Sequence, residues 1–234
     1  MPASYPNPQL RRWTFGPDVP VPNSLYRVMR RVFQGWMTAF WKIRVFNRHY
    51  EPASGGAVYI SNHQSFLDPM LMSLALRRPM SYMARDSLFR MPGFKQIIEA
   101  LNAFPVKRGK ADTGALKEAM RRLKKGGQVV VFAEGTRTRD GRIGPFLPGV
   151  AMLAQRAAEW TVPVLIDGAW EAWPREKKVP GIGHIVVQYG KPLSRAEARK
   201  YSPQELVDRV RDELIEIQAD VRSRIGRPAL DYDA

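Results

Sequence analysis

His63 and Asp68 stand five residues apart in "NHQSFLDP" (62–69), between the apolar runs "AVYIS" (57–61) and "MLMSLAL" (70–76). The pair sits where a strand gives way to a helix. On one continuous helix, side chains at this spacing would lie roughly 140° apart, so the two must meet across a turn. If the helix begins only at Pro69, with Asp68 as its N-cap, residues 63–67 are free to curl. The carboxylate then accepts a proton from one imidazole nitrogen and leaves the other to work as a general base. The plainer alternative is an aspartate that only caps and a histidine that only packs, and an isolated pair favours it.

Two more stretches bring charge to the end of an apolar run. "VVVFAEGTRTRDG" (129–141) presents Glu134, Gly135, Thr136 and Arg137, then Arg139. Glycine permits a tight turn there, and a guanidinium at a fixed point holds a phosphate bidentately, which a flexible lysine does less well. Glu134 either orients that arginine or accepts a substrate hydroxyl; the alternative is a turn with a structural ion pair. "FPVKRG" (104–109) sets Lys107 and Arg108 at another strand end, ahead of a glycine and a helix. Ligands gather at the carboxyl ends of strands in α/β sheets, although a Lys-Arg pair on a loop is more often plain surface. In "TVPVLIDGAW" (161–170), Pro163 between Val162 and Val164 removes a ladder donor and predicts a sheet edge or an opening. Trp170 and Trp173 follow, and either line a slot for an acyl chain or fill the core.

The elements that must position these residues are legible from residue 57 onward, where short β-like runs alternate with helical ones. Strands are expected at 57–61, 80–84, 103–106, 128–133, 162–168 and 184–190, and helices at 69–77, 92–101, 112–125, 149–159 and 203–224. This is an α/β fold, a central mainly parallel mixed sheet flanked by helices. The last helix opens "SPQEL", with Ser202 and Glu205 spaced as a capping box. Its apolar positions suit packing on the sheet, and no chemistry is assigned to it.

Ahead of the domain, residues 24–46 carry apolar side chains at helical spacing, with Arg30, Arg31, Trp36, Phe40 and Trp41 among them. Aromatic residues flanked by cations suit a helix lying at a membrane interface rather than one packed in the core. The chain thus divides into a proline-rich extended arm (1–23), an amphipathic membrane-interface segment (24–50), the α/β domain (51–225) and a tail (226–234). Its 234 residues, 44% hydrophobic, provide for one sizeable core. With no cysteine, neither a disulfide framework nor a thiolate nucleophile or thiolate metal site is available, and a cytoplasmic setting fits. The arm lacks the pattern of a signal or transit peptide, and no apolar window reaches membrane-spanning length. The net charge of +15 calls for an anionic partner: nucleic acid, an anionic membrane surface or a phosphorylated substrate.

Taken together and in this order, the four stretches resemble the glycerolipid acyltransferases, a family that includes the 1-acylglycerol-3-phosphate (lysophosphatidate) acyltransferases. Asn62, His63, Ser65 and Asp68 match its N-H-x-S-x-x-D motif. Arg108 and Gly109 look like its second motif, Glu134 to Arg137 its third, and Val162, Pro163 and Val164 its fourth. The resemblance spans about residues 50–195. It implies transfer of an acyl group from acyl-CoA or an acyl carrier protein to a glycerolipid hydroxyl, with the thioester as co-substrate and neither cofactor nor metal. His63 would be the base and Asp68 its orienting partner. Lys107, Arg108 and residues 134–137 would hold the lysolipid phosphate, and Val162 to Val164 would border the acyl chain. The basic, aromatic N-terminal segment would dock on the anionic cytoplasmic face of the membrane. One departure stands out: where family members often carry Phe-Lys-x-Gly, this chain has Phe146, Leu147, Pro148 and Gly149.

Other readings are an acyltransferase acting on another lysolipid, a non-catalytic membrane-surface protein, and a nucleic-acid binder. The last rests on charge alone. No recognisable reading module is present, and no nucleic-acid partner is expected.

Overall fold

The structure, a computed structural model, describes residues 24–74, 76–91, 93–107 and 112–232. Its strands are β1 (Trp41–Phe46), β2 (Ala57–Ser61), β3 (Met80–Arg85), β4 (Ala103–Val106), β5 (Gln128–Phe132), β6 (Trp160–Asp167), β7 (Gly183–Tyr189) and β8 (Leu193–Ser194). The helices are α1 (Ser24–Phe40), α2 (Asp68–Leu74), α3 (Phe94–Ala100), α4 (Thr113–Lys124), α5 (Ala151–Arg156), α6 (Ala169–Ala172), α7 (Arg195–Ala198) and α8 (Pro203–Arg224). All eight strands join one sheet, ordered β1-β7-β6-β2-β5-β3-β4, with β8 also paired to β6. Pairing is parallel except where β7 and β8 meet β6.

Strand alternation divides the apolar residues into two layers. Val58, Ile60, Val129, Val131 and Leu165 pack under α4, α5 and α8. Ala57, Tyr59, Val130, Val162 and Val164 face α1 and α2 on the other side. The last helix begins as expected: Ser202 accepts from the Glu205 amide, and Glu205 reaches back to the Ser202 amide.

Two expectations are corrected. The helix read over 24–46 stops at Phe40, and Trp41–Phe46 run as β1, paired in register with β7 from Trp41 opposite Gly183 to Phe46 opposite Gln188. Trp41, expected at the membrane interface, is only 2% exposed. The alternation Trp41, Ile43, Val45 on one side and Lys42, Arg44 on the other is a strand period that the preceding helical stripe conceals. Pro163, read as an edge or opening, lies in a central strand opposite Ile60 of β2. The missing donor is harmless there. Pro163's carbonyl accepts from the Gly190 amide, so its nitrogen turns the same way, toward the place where β7 has ended and β8 has yet to begin.

The strand directions locate the site. β2, β3, β4, β5 and β6 all end at one edge of the sheet, and β1 and β7 begin there. The loops after β2, β5 and β6 and the end of α1 therefore converge on that edge, where α/β sheets bind their ligands.

Candidate active site

His63 follows β2 in the loop 62–67. Its Nδ1 lies 2.7 Å from Asp68 Oδ2. The same oxygen accepts the Gln64 amide and, at 2.8 Å, the Ser65 amide. Asp68 is the first residue of α2 rather than a cap ahead of it, and its carboxylate turns back to hold the curled loop. It is fully buried, and His63 is 6% exposed. With Nδ1 directed at the carboxylate, Nε2 is the nitrogen left for a substrate. The imidazole stacks on Phe132 at the end of β5, ring centroids 4.1 Å apart and planes 17° off parallel.

The 134–138 turn is sewn to this loop. Glu134 Oε1 accepts the His63 amide at 2.9 Å, Oε2 accepts the Gly144 amide at 3.1 Å, and the Thr138 amide donates to the His63 carbonyl at 2.8 Å. Glu134 therefore orients the histidine's backbone, a role different from the two foreseen for it. Burial pushes its carboxyl up to about 7, against the pull of the two backbone amides. Gly135 has φ 69°, a left-handed backbone that favours glycine; a Cβ there would meet only the tip of the Leu147 side chain, at 2.9 Å. Leu147, where the family often has lysine, is 55% exposed beside this turn. The Arg137 guanidinium carbon lies 3.5 Å from the Phe66 ring centroid, a cation held against an aromatic face. Thr136 is exposed.

A cavity of about 630 Å³ adjoins the histidine. Phe132, which stacks on His63, is one of its walls, and Phe66 and Trp173 are others. The remainder comes from α1 and α2, from β3, and from the segment between β3 and β4, with Leu88, Ile97 and Leu101 among the apolar side chains. Val162, Pro163 and Val164, expected to border an acyl chain, are not part of these walls; they are buried in the centre of the sheet. Of the two tryptophans singled out, Trp173 lines the cavity and Trp170 does not.

Lys107 is exposed at the end of β4, its amide bound to Asp112 at 2.7 Å. Three strand spacings separate β4 from β2 in the sheet order, about 14 Å. Arg108 lies outside the described residues. In α1, Arg31 is exposed, whereas the Arg30 guanidinium turns inward to the Leu74 and Leu76 carbonyls at the end of α2, and so is no lipid-facing cation. Trp36 and Phe40 are 37% and 56% exposed.

Several supports carried no recognisable signal. The Asn62 side chain bonds both the amide and the carbonyl of Ile166, joining the His63 loop to β6. Gln64 bonds the Gly141 carbonyl and the Ala169 amide. Arg211 of α8 donates to the Ile143 and Gly144 carbonyls, so the helix assigned no chemistry steadies the turn that holds Glu134.

The acyltransferase family model matches residues 42–167, more than half of the chain. The chain belongs to the acyltransferase family. Among curated relatives, it is 32% identical over 163 residues to the chloroplastic 1-acyl-sn-glycerol-3-phosphate acyltransferase LPAT1 of Arabidopsis thaliana, covering 68% of this chain and 46% of that protein. With the 1-acyl-sn-glycerol-3-phosphate acyltransferase of Bacillus subtilis it shares 28% over 156 residues, 66% of this chain and 75% of that one. The chain thus matches under half the length of the plant relative. The crystal structure of the lysophosphatidate acyltransferase PlsC from Thermotoga maritima superposes with a TM-score of 0.69 at 22% identity, over 83% of this chain and 81% of that one. This acyltransferase therefore shares the fold of that enzyme, a mainly parallel mixed sheet between helices.

Proposed function

We propose that this acyltransferase moves a fatty acyl group from a thioester, acyl-CoA or acyl carrier protein, to the free hydroxyl of a 1-acylglycerol-3-phosphate at a membrane surface, giving phosphatidate. The observation that carries the reading is the His63–Asp68 pair, closed at 2.7 Å beside a large apolar cavity. His63 Nε2 takes the proton of the acceptor hydroxyl as its oxygen attacks the thioester carbonyl, and the Asp68 carboxylate stabilises the imidazolium that forms. Collapse of the tetrahedral intermediate breaks the C–S bond, and the imidazolium returns its proton to the departing thiolate. The acceptor is itself the nucleophile, so a chain without cysteine lacks nothing for this chemistry. Arg137 is the cation beside His63 suited to the acceptor's phosphate. The apolar cavity takes an acyl chain.

Docking on the bilayer falls to α1. Val28, Val32, Trp36 and Phe40 recur every four residues on one face and are all exposed, with Arg27 and Arg31 nearby. No helix among the described residues is long and apolar enough to cross a membrane.

The test offers purified protein a labelled acyl-CoA or acyl carrier protein with lysolipids of several headgroups. Diacyl product with 1-acylglycerol-3-phosphate is expected, reduced in Arg137→Ala chiefly through KM. Product only with a lysolipid lacking a free phosphate monoester would overturn the acceptor, and product with no donor and acceptor pair would overturn the chemistry.

A further inference from the structure

The loop joining α6 to β7, "WPREKKVPGI" (173–182), takes no part in the proposed chemistry beyond the tryptophan that walls the cavity. Its outer half carries Val179 at 72% and Ile182 at 90% exposure, the latter the most exposed large apolar residue among those described. Arg175, Lys177 and Lys178 are exposed on the same loop, with Glu176 as its single acid. Isolated surface aliphatics are ordinary. Two on one short cationic loop make a small amphipathic patch of the kind that sits among lipid headgroups.

The loop's position bears on what covers it. β6 ends and β7 begins at the edge of the sheet where His63 lies, so the loop leaves the sheet on the same side as the His63 loop. One end is tied to the catalytic loop, where Ser65 Oγ donates to the Trp173 carbonyl at 2.8 Å. The other end is tied to α1's neighbour, where Trp41 Nε1 donates to the Gly181 carbonyl at 2.8 Å. Trp41 meets Trp36 edge-on at 5.1 Å and lies 6.1 Å from Phe40. The Gly181 amide returns to the Ala172 carbonyl at 2.7 Å and the Trp173 indole to the Lys177 carbonyl at 2.9 Å, so the loop has a fixed shape. The buried Trp41 thereby ties the loop to the exposed aromatic end of α1, bonding Gly181 with its indole and packing on Trp36 and Phe40 with its rings.

We propose that residues 175–182 form a second lipid-contacting element, seating Val179 and Ile182 among the acyl chains of an anionic bilayer with Arg175, Lys177 and Lys178 at its phosphates. Two anchors flanking the His63 loop fix the site's orientation toward the lipid layer. This rests on the reading that α1 docks on membrane.

The chain has no cysteine, so Ile182→Cys and, as control, Glu216→Cys on the outer face of α8 each take a single environment-sensitive fluorophore. With vesicles of phosphatidylcholine and phosphatidylglycerol, the probe at 182 is expected to shift to the blue and to be quenched by brominated acyl chains, while the probe at 216 stays aqueous. Val179→Asp combined with Ile182→Asp is expected to lower vesicle affinity at least about tenfold, with acyl transfer to detergent-dispersed acceptor unchanged. A probe at 182 that stays aqueous on vesicle-bound protein overturns this inference and leaves α1 docking intact. Failure of the unmodified protein to bind vesicles overturns both. Loss of acyl carrier protein binding by the double aspartate variant, with vesicle binding intact, assigns the loop to an acidic protein and overturns the lipid contact.

Discussion

His63 shares its aspartate with the backbone of its own loop, since one Asp68 oxygen takes the imidazole and the amides of Gln64 and Ser65 together. Asp68→Asn keeps an oxygen for those amides but removes the charge opposite the imidazolium. It is expected to lower kcat roughly 10²–10⁴-fold with KM for the acceptor little changed, as read by steady-state kinetics on folded protein. Glu134 gives a stability signature instead. Its carboxyl titrates near 4.5 in the unfolded chain and at about 7 when folded, so between those values the folded protein holds a proton that the unfolded chain has released. Stability therefore falls as pH rises from 4.5 through 7 and levels off above, by on the order of 3 kcal/mol. In Glu134→Gln this contribution is absent: urea midpoints are expected to be lower at acid pH, because one backbone amide loses its acceptor, and flatter across the window. A slope matching the unmodified protein's would contradict the assignment. At this scale the sequence was informative. The spacing of His63 and Asp68 and the Asp-Pro helix start implied a turn that joins them, whereas Glu134's grip on the His63 amide depends on two strands lying side by side and has no local signal.

Among the elements, what was legible followed periodicity and what was hidden followed distance along the chain. β2 and α8 have the boundaries their patterns predict, Ala57–Ser61 and Pro203–Arg224. β1 was absorbed into the preceding helix because its partner, β7, lies about 140 residues away, and only pairing turns Trp41 into the core. Pro163 misled for a related reason. A missing donor marks an edge unless the neighbouring strand stops there, as β7 does. Pro163→Ala is accordingly expected to cost about 0.4–1 kcal/mol, by loosening the unfolded chain, whereas Val162→Pro removes a donor on the β2 side and is expected to cost on the order of 3 kcal/mol. Chemical denaturation of the two variants distinguishes these effects. The cavity was illegible because its walls come from α1, α2, β3, β5 and several connecting segments, each contributing side chains that look like ordinary core.

Across the whole molecule, the charge of +15 indicated an anionic partner without identifying one. The proposal of a membrane partner rests on the exposed apolar side chains of α1 and of the 173–182 loop, both of which adjoin the edge that carries His63. Binding to anionic vesicles is expected to weaken steeply between 0.1 M and 1 M salt, as the screening length shrinks from about 10 Å to about 3 Å, and to keep an apolar remainder at the upper end. Vesicle sedimentation across that range checks it, with activity on detergent-dispersed acceptor expected to change far less. The most direct measurement is acyl transfer from labelled acyl thioester to 1-acylglycerol-3-phosphate by the unmodified protein and by His63→Ala, with circular dichroism and the urea midpoint recorded on both. Diacyl product is expected from the first and a loss of at least about a hundredfold in the second, with the fold retained. Undiminished transfer by a folded His63→Ala protein would contradict the role proposed for His63.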